Sequence, residues 1–166
     1  MSAGTDMLVK LYDLRDDWSF VAEQEKLGIA IRKPIGVEKR VLVEWVTKVF
    51  SPTWGSAMDM ALGNRPVSCF VAVKEGAPVG FACYDAGDLG YFGPIGVAEA
   101  GRGRGTGTAL LRATLLEMKL RGYGYAIIGM TGGSVVEFYK RTVGAVEIPD
   151  SFPGIFKTRV KRDFTP

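Results

Sequence analysis

The chain contains no histidine. That absence removes Ser–His–Asp triads, Cys–His nucleophile pairs and His-based zinc centres together. Any general base must then be a carboxylate, a tyrosine, a cysteine, a lysine, a terminal amine or water. Cysteine is scarce too: Cys69 and Cys83 each sit inside an apolar, strand-like run. Such positions suit two buried thiols better than a disulfide or a redox pair, and they suit a reduced, cytoplasmic setting. No apolar run approaches the roughly 18 residues of a membrane span, and the N-terminus lacks a basic-then-apolar signal pattern. A strong charge bias is also missing. Lys and Arg number 21 against 18 Asp and Glu, a net charge of +3 that gives no case for nucleic acid as a partner. The basic positions Lys157, Arg159, Lys161 and Arg162 alternate with other residues and read as the solvated side of a last strand.

What is present fits one domain. The 166 residues, 47% hydrophobic and 23% charged, are enough to bury a sizeable core. A single domain over 1–166 is expected, with 1–27 as an N-terminal extension. Residues 7–14 alternate like a short strand, 15–27 carry a short helix, and 28–35 read as a strand with Pro34 near an edge. Val41, Leu42, Trp45, Val46 and Val49 recur at helical spacing. Ser51-Pro52 then resembles an N-cap followed by proline at the first helical position, and Gly63-Asn64 can stop that second helix. Residues 68–76 and 77–85 predict a hairpin turning at Glu75-Gly76, with 89–97 as the third strand of a meander. Pro94 cannot donate to a ladder, and with Gly93 and Gly96 around it a bulged or splayed strand is expected. Leu110, Leu111, Leu115 and Met118 make an apolar helix face that ends near Gly122. A buried strand follows over 123–130. Ser134 and Glu137 match a capping box opening a short helix with Phe138 and Tyr139. Strands over 144–148 and 154–160 close the chain. The fold class expected is α/β, with a mixed, mostly antiparallel central sheet, splayed strands and flanking helices.

The most informative stretch is VAEAGRGRGTGTALL, residues 97–111. A glycine-rich loop between a strand end and a helix start is an anion site. Its backbone amides point outward, no side chains obstruct approach, and the helix dipole adds positive potential. Arg102 and Arg104 add charge, so a phosphate or diphosphate is the natural ligand. The loop is not a P-loop, because Thr108-Ala109 follows Gly107 where Lys-Ser/Thr is required. It is not a dinucleotide fingerprint either: counted from Gly101 or Gly103, the sixth position is Thr106 or Thr108, and the loop follows a meander.

Arg102-x-x-Gly105-x-Gly107 resembles the acetyl-CoA pyrophosphate loop of the GNAT acyltransferase superfamily, whose pattern is Arg/Gln-x-x-Gly-x-Gly/Ala. Val97 stands where that family's V-x-P-x-x-R-G-x-G-x-G run begins, with Glu99 in place of its proline. Phe138-Tyr139-Lys140-Arg141 resembles the family's fourth-helix motif, a tyrosine shortly before a glycine. The spacing from Tyr139 to Gly144 is one residue longer than the family's, and Gly132 stands at its frequent asparagine. The resemblance spans roughly residues 28–160.

That resemblance implies acetyl-CoA as co-substrate, no metal, and direct transfer to an amine on a small molecule or a protein. It implies a strand splayed at Val97, with the pantetheine arm lying beside it like an extra strand. Cofactor contacts are then expected from Ile95, Gly96 and Val97, and from Arg102, Gly103, Arg104, Gly105, Thr106, Gly107 and Thr108. Ile95 would also offer a backbone amide to the thioester oxygen. Tyr139 takes the general-acid position. Asp85, Glu44 or water remain as bases, with Asp85 or water preferred. Trp54, Tyr91 and Phe92, the segment around Phe50 to Thr53, and the loop Ser151 to Gly154 are expected on the acceptor side, with Trp45 in the core. Family habit also implies a possible homodimer. A non-catalytic acyl-CoA-binding module is the alternative function.

Overall fold

The computed structural model describes residues 4–161 and 163–165. Among them, seven strands form one sheet: β1 (Thr5–Lys10), β2 (Ile29–Arg32), β3 (Cys69–Lys74), β4 (Ala77–Tyr84), β5 (Tyr91–Val97), β6 (Tyr125–Thr131) and β7 (Val146–Ile148). Five α-helices flank it: α1 (Ser19–Lys26), α2 (Lys39–Val49), α3 (Pro52–Gly63), α4 (Thr106–Leu120) and α5 (Ser134–Val143). The strand order is β2-β3-β4-β5-β6-β1-β7, antiparallel throughout except for the parallel pair β5–β6.

Alternation along the strands gives the sheet two apolar faces. Phe70, Ala72, Ala82, Phe92, Ile128, Met7 and Val9 point to one side, where α1, α4 and α5 cover them. Cys69, Val71, Phe81 and Cys83 point to the other, under α2 and α3. Helix α4 buries Leu110, Leu111, Leu115 and Met118 as its spacing predicts. Helix α2 buries a narrower stripe than expected: Leu42 and Val46 go in, while Val41 and Val49 stay exposed. Local signals hold at the joints. The Ser51 hydroxyl accepts from the Trp54 amide at 3.2 Å with Pro52 at the first helical position. Glu75 and Gly76 take φ of 50° and 76°, the left-handed pair of a tight hairpin. Both cysteines are free and buried, and burial pushes the Cys83 thiol well up. Among the described residues, no helix is long and apolar enough to cross a membrane.

The structure corrects the sequence at both ends. The segment over 154–160 is not a strand: Gly154–Phe156 is a 3-10 turn and the rest is irregular. Arg162 lies outside the described residues. The interior slot beside β6 is filled by β1, from the supposed N-terminal extension. The physical reason is burial. Met7 and Val9 are 0% exposed in that slot, whereas Val160 remains 81% exposed. The first strand also starts earlier than expected and gives way to a 3-10 turn at Leu11–Asp13. The capping box at Ser134 does not form. Gly133, with φ of 61°, is the N-cap, Ser134 is already helical, and Glu137 pairs with Lys140.

Candidate active site

The site is built where β5 leaves β6. The two strands pair only through Tyr91↔Ile127 and Phe92↔Ile128. Past that point β5 continues along β4 to Val97 with no strand partner on its other edge among the described residues. The Ala98 amide donates to the Val79 carbonyl at 2.8 Å. By antiparallel alternation the Gly96 amide also faces β4, and those of Ile95 and Val97 face the gap. Pro94 has no amide to offer. A wedge-shaped gap, bordered by outward-facing backbone groups, therefore opens toward the C-terminal end of β5.

At that end the chain makes a 3-10 turn, Glu99–Gly101, and enters the glycine loop. Gly101 is buried, and a Cβ there would lie 3.1 Å from the Val79 side chain, so a larger residue would press on β4. Gly103 and Gly105 take φ of 78° and 74°, a conformation that suits glycine. The Arg102 amide turns inward to the Glu99 carbonyl at 3.2 Å. Among the described residues, no hydrogen bond takes the amides of Gly103, Arg104 or Gly105. Those of Thr106, Gly107 and Thr108 form the first turn of α4 and have no intrahelical partner. The two arginines are held against the loop: Arg102 Nε donates to the Val97 carbonyl at 3.2 Å, and Arg104 to the Ala100 carbonyl at 2.7 Å. Both remain exposed.

One residue that shapes this loop comes from a distant helix. Gln24 on α1 is 5% exposed; its amide nitrogen donates to the Arg104 carbonyl at 2.8 Å, and its amide oxygen accepts from the Thr106 hydroxyl at 2.8 Å. Carbonyl and amide of one trans peptide point in opposite directions. Pinning the Arg104 carbonyl inward therefore turns the Gly105 amide outward. The Thr106 side chain is committed to this clamp, so only its backbone can serve a ligand. Nothing in the sequence marked Gln24; it lies 80 positions from Arg104 in the chain.

Tyr139 lies on the α4–α5 side, its ring 6.4 Å from that of Phe92, at the point where β5 and β6 part. It is 4% exposed, and burial pushes its phenol up to about 12. Its hydroxyl has no hydrogen-bond partner among the described residues. Phe92 belongs to the same core, 3% exposed, and packs against Tyr139. Tyr91 points to the other face, against Gly129. Burial is the main cause that raises its phenol, with Asp6 and Asp88 adding to it. Trp54 stacks on Phe50 and meets Phe81 edge-on, within an aromatic cluster that also holds Trp45. A Cβ on Gly96 would lie 2.6 Å from the Phe50 ring, so that packing calls for a glycine there.

The two carboxylates considered as bases are placed elsewhere. Asp85 organises the β4–β5 turn. One oxygen accepts from the Tyr123 hydroxyl at 2.6 Å and the other from the Gly90 amide at 2.8 Å. The Tyr123 phenol is pushed up to about 12, chiefly by that bond. Both oxygens are thus engaged, at the closed end of the gap. Glu44 is exposed and pairs with Arg40 at 2.8 Å. A cavity of about 710 Å³ opens beyond the end of β6, between Thr131–Gly133, the start of α5 and the loop of Ser151 and Phe152. The loop expected on the acceptor side does line a cavity.

The model of a family described as "Acetyltransferase (GNAT) family" matches residues 39–145. Among curated proteins, none matches. Among solved structures, a glucosamine N-acetyltransferase region of a fungal multi-domain β-N-acetylglucosaminidase superposes with a TM-score of 0.70 at 18% identity, covering 89% of this chain and 20% of that one. A GCN5-related N-acetyltransferase from Sphaerobacter thermophilus gives 0.62 at 24% identity, with 89% and 50% coverage. The chain thus spans a fifth and a half of these two relatives. A GNAT family acetyltransferase from Brucella melitensis, solved with acetyl-CoA, gives 0.52 at 19% identity, with 66% and 80% coverage.

Proposed function

The chain belongs to the GNAT acetyltransferase family, and from that premise we propose an N-acetyltransferase that moves an acetyl group from acetyl-CoA to a primary amine by direct attack. The observation that carries this reading is the run of unpartnered amides from Gly103 to Thr108 at the mouth of the β5–β6 gap. These amides and the N-terminal end of α4 fit a diphosphate. The edge of β5, with Ile95 and Val97 facing outward, fits an amide-bearing arm laid alongside it. Acetyl-CoA is in this account a substrate, and its thioester is the acyl donor.

The protein's part is positional and acid–base. The Ile95 amide stabilises negative charge on the acyl oxygen as the amine attacks. Tyr139, protonated across the physiological range, donates to the departing sulfur. The acceptor approaches from the side of Trp54 and Tyr91 or through the cavity beside Ser151 and Phe152. Cytoplasmic residence agrees with two free buried thiols. Calorimetry with coenzyme A, followed by free-thiol release with acetyl-CoA and a panel of amines, tests the assignment. The second reading, a binding module without catalysis, separates at Tyr139→Phe. A transferase loses turnover while keeping coenzyme A affinity; a module shows no turnover to lose.

A further inference from the structure

Asp6 is a buried carboxylate that the transfer scheme above does not use. It lies on β1, is 6% exposed, and makes no ion pair among the described residues. Its position is defined by an irregularity. The β1–β6 register jumps from Thr5↔Thr131 to Met7↔Ile128, so Gly129 and Met130 on β6 oppose Asp6 alone. This is a bulge, and Met130 takes a φ of 53° within it. The Met130 amide, turned out of the ladder, donates to Asp6 Oδ1 at 2.9 Å. Oδ2 has no hydrogen-bond partner among the described residues.

The carboxylate lies beside the stretch of β6 that runs on past the split, with Oδ1 toward Gly129 and Oδ2 toward the loop after β7. The last β5–β6 pair is Phe92↔Ile128, and Gly129 and Met130 are the next two residues of β6. Tyr91, on β5, packs on Gly129 from the same face as Asp6, and a Cβ on Gly129 would lie 3.3 Å from the Tyr91 ring and 3.7 Å from Asp6 Oδ1. The loop after β7 closes over the carboxylate: the Asp6 amide donates to the Ser151 hydroxyl at 2.7 Å, and a Cβ on Gly154 would lie 3.0 Å from Oδ2. Tyr139 reaches the same split from the opposite face, against Phe92. Tyr139 and Asp6 therefore lie on opposite faces of the sheet, Tyr139 against the last paired residue of β5 and Asp6 beside the first unpaired residues of β6.

We propose that Asp6 is the catalytic base that deprotonates the acceptor ammonium, a role that rests on the transferase reading above. The ammonium gives one proton to Oδ2. The freed lone pair forms the C–N bond to the thioester carbon, the C–S bond breaks, and the leaving sulfur takes the Tyr139 proton. Of the two protons the nitrogen sheds, one restores Tyr139 through solvent and one is released. The Met130 bond holds the carboxylate still, and burial under the 149–154 loop keeps competing water few.

Asp6→Asn separates this role from a merely structural one, because an asparagine oxygen still accepts from the Met130 amide. With an alkylamine acceptor, kcat should fall roughly 100-fold or more, the scale of a lost general base, while coenzyme A affinity by calorimetry stays within about twofold. With hydroxylamine, already neutral at assay pH, the loss should be at least about tenfold smaller. Retained kcat, or equal losses with both nucleophiles, overturns the proposal. Asp6→Ser is the second variant; if both variants lose the fold, Asp6 is a scaffold group and the proposal falls. Failure of the wild-type protein to release thiol with any amine would instead overturn the transferase reading itself.

Discussion

Tyr139 combines a reactive hydroxyl with a buried ring, and the two properties make separate predictions. Tyr139→Phe should lower kcat by about 100-fold, the scale of a lost general acid, with coenzyme A affinity unchanged in calorimetry. The same phenol links stability to alkali. Its folded value near 12 lies above the ordinary 10, so the stabilisation is complete below about pH 10 and is lost as pH rises toward 12. Each pH unit between the two values is worth about 1.4 kcal/mol. The denaturation midpoint of the wild type should fall over that range, and the phenylalanine variant should fall less. Gly96 tests packing alone. Gly96→Ala pushes a methyl into the Phe50 ring and should cost about 1–3 kcal/mol in chemical denaturation, as overpacked cores do. At this scale the sequence was legible where one residue's chemistry is local. The left-handed loop glycines and the Ser51 cap could be read from their neighbours. Asp85 could not, because its engagement depends on Tyr123, 38 positions away. The face that Phe92 joins could not either, because it depends on alternation along a bulged strand.

The loop is an element whose shape is set by another element. Gln24 on α1 fixes the Arg104 carbonyl and the Thr106 hydroxyl, and through them the direction of the Gly105 amide. Gln24→Leu leaves two polar groups unpaired in a buried position, at a cost of about 1–3 kcal/mol in stability. It should weaken coenzyme A binding by about tenfold in calorimetry, with saturated kcat nearly preserved, because the clamp acts on the loop and not on the reacting atoms. The loop's existence was plain from four glycines and two arginines in seven residues. Its clamp was not, since a glutamine in a short charged helix carries no signal of what it will meet. The same holds for the missing capping box: Ser134 and Glu137 have the right spacing, but Gly133 takes the N-cap and leaves the serine one position inside the helix.

At the scale of the molecule, the sheet owes its integrity to a strand from the far end of the chain. β1 separates β6 from β7 and pairs with both, so a chain lacking residues 1–10 leaves β7 without a partner and strips Met7 and Val9 from the core. Such a chain should lose cooperative unfolding in a denaturant titration, although the family match begins only at residue 39. The fold class was legible from the alternation of helical and strand periods. The place of β1 beside β6 was not, because alternation within a segment does not name the strand it pairs with. The central claim concerns the loop and the gap together: the amides from Gly103 to Thr108 converge on a diphosphate at the mouth of the split between β5 and β6. Backbone amide NMR during a coenzyme A titration tests it most directly. The account predicts saturable shifts at Gly103, Gly105, Thr106 and Gly107, together with Ile95 and Val97. Binding that leaves those amides unmoved, or no binding at all, would contradict it.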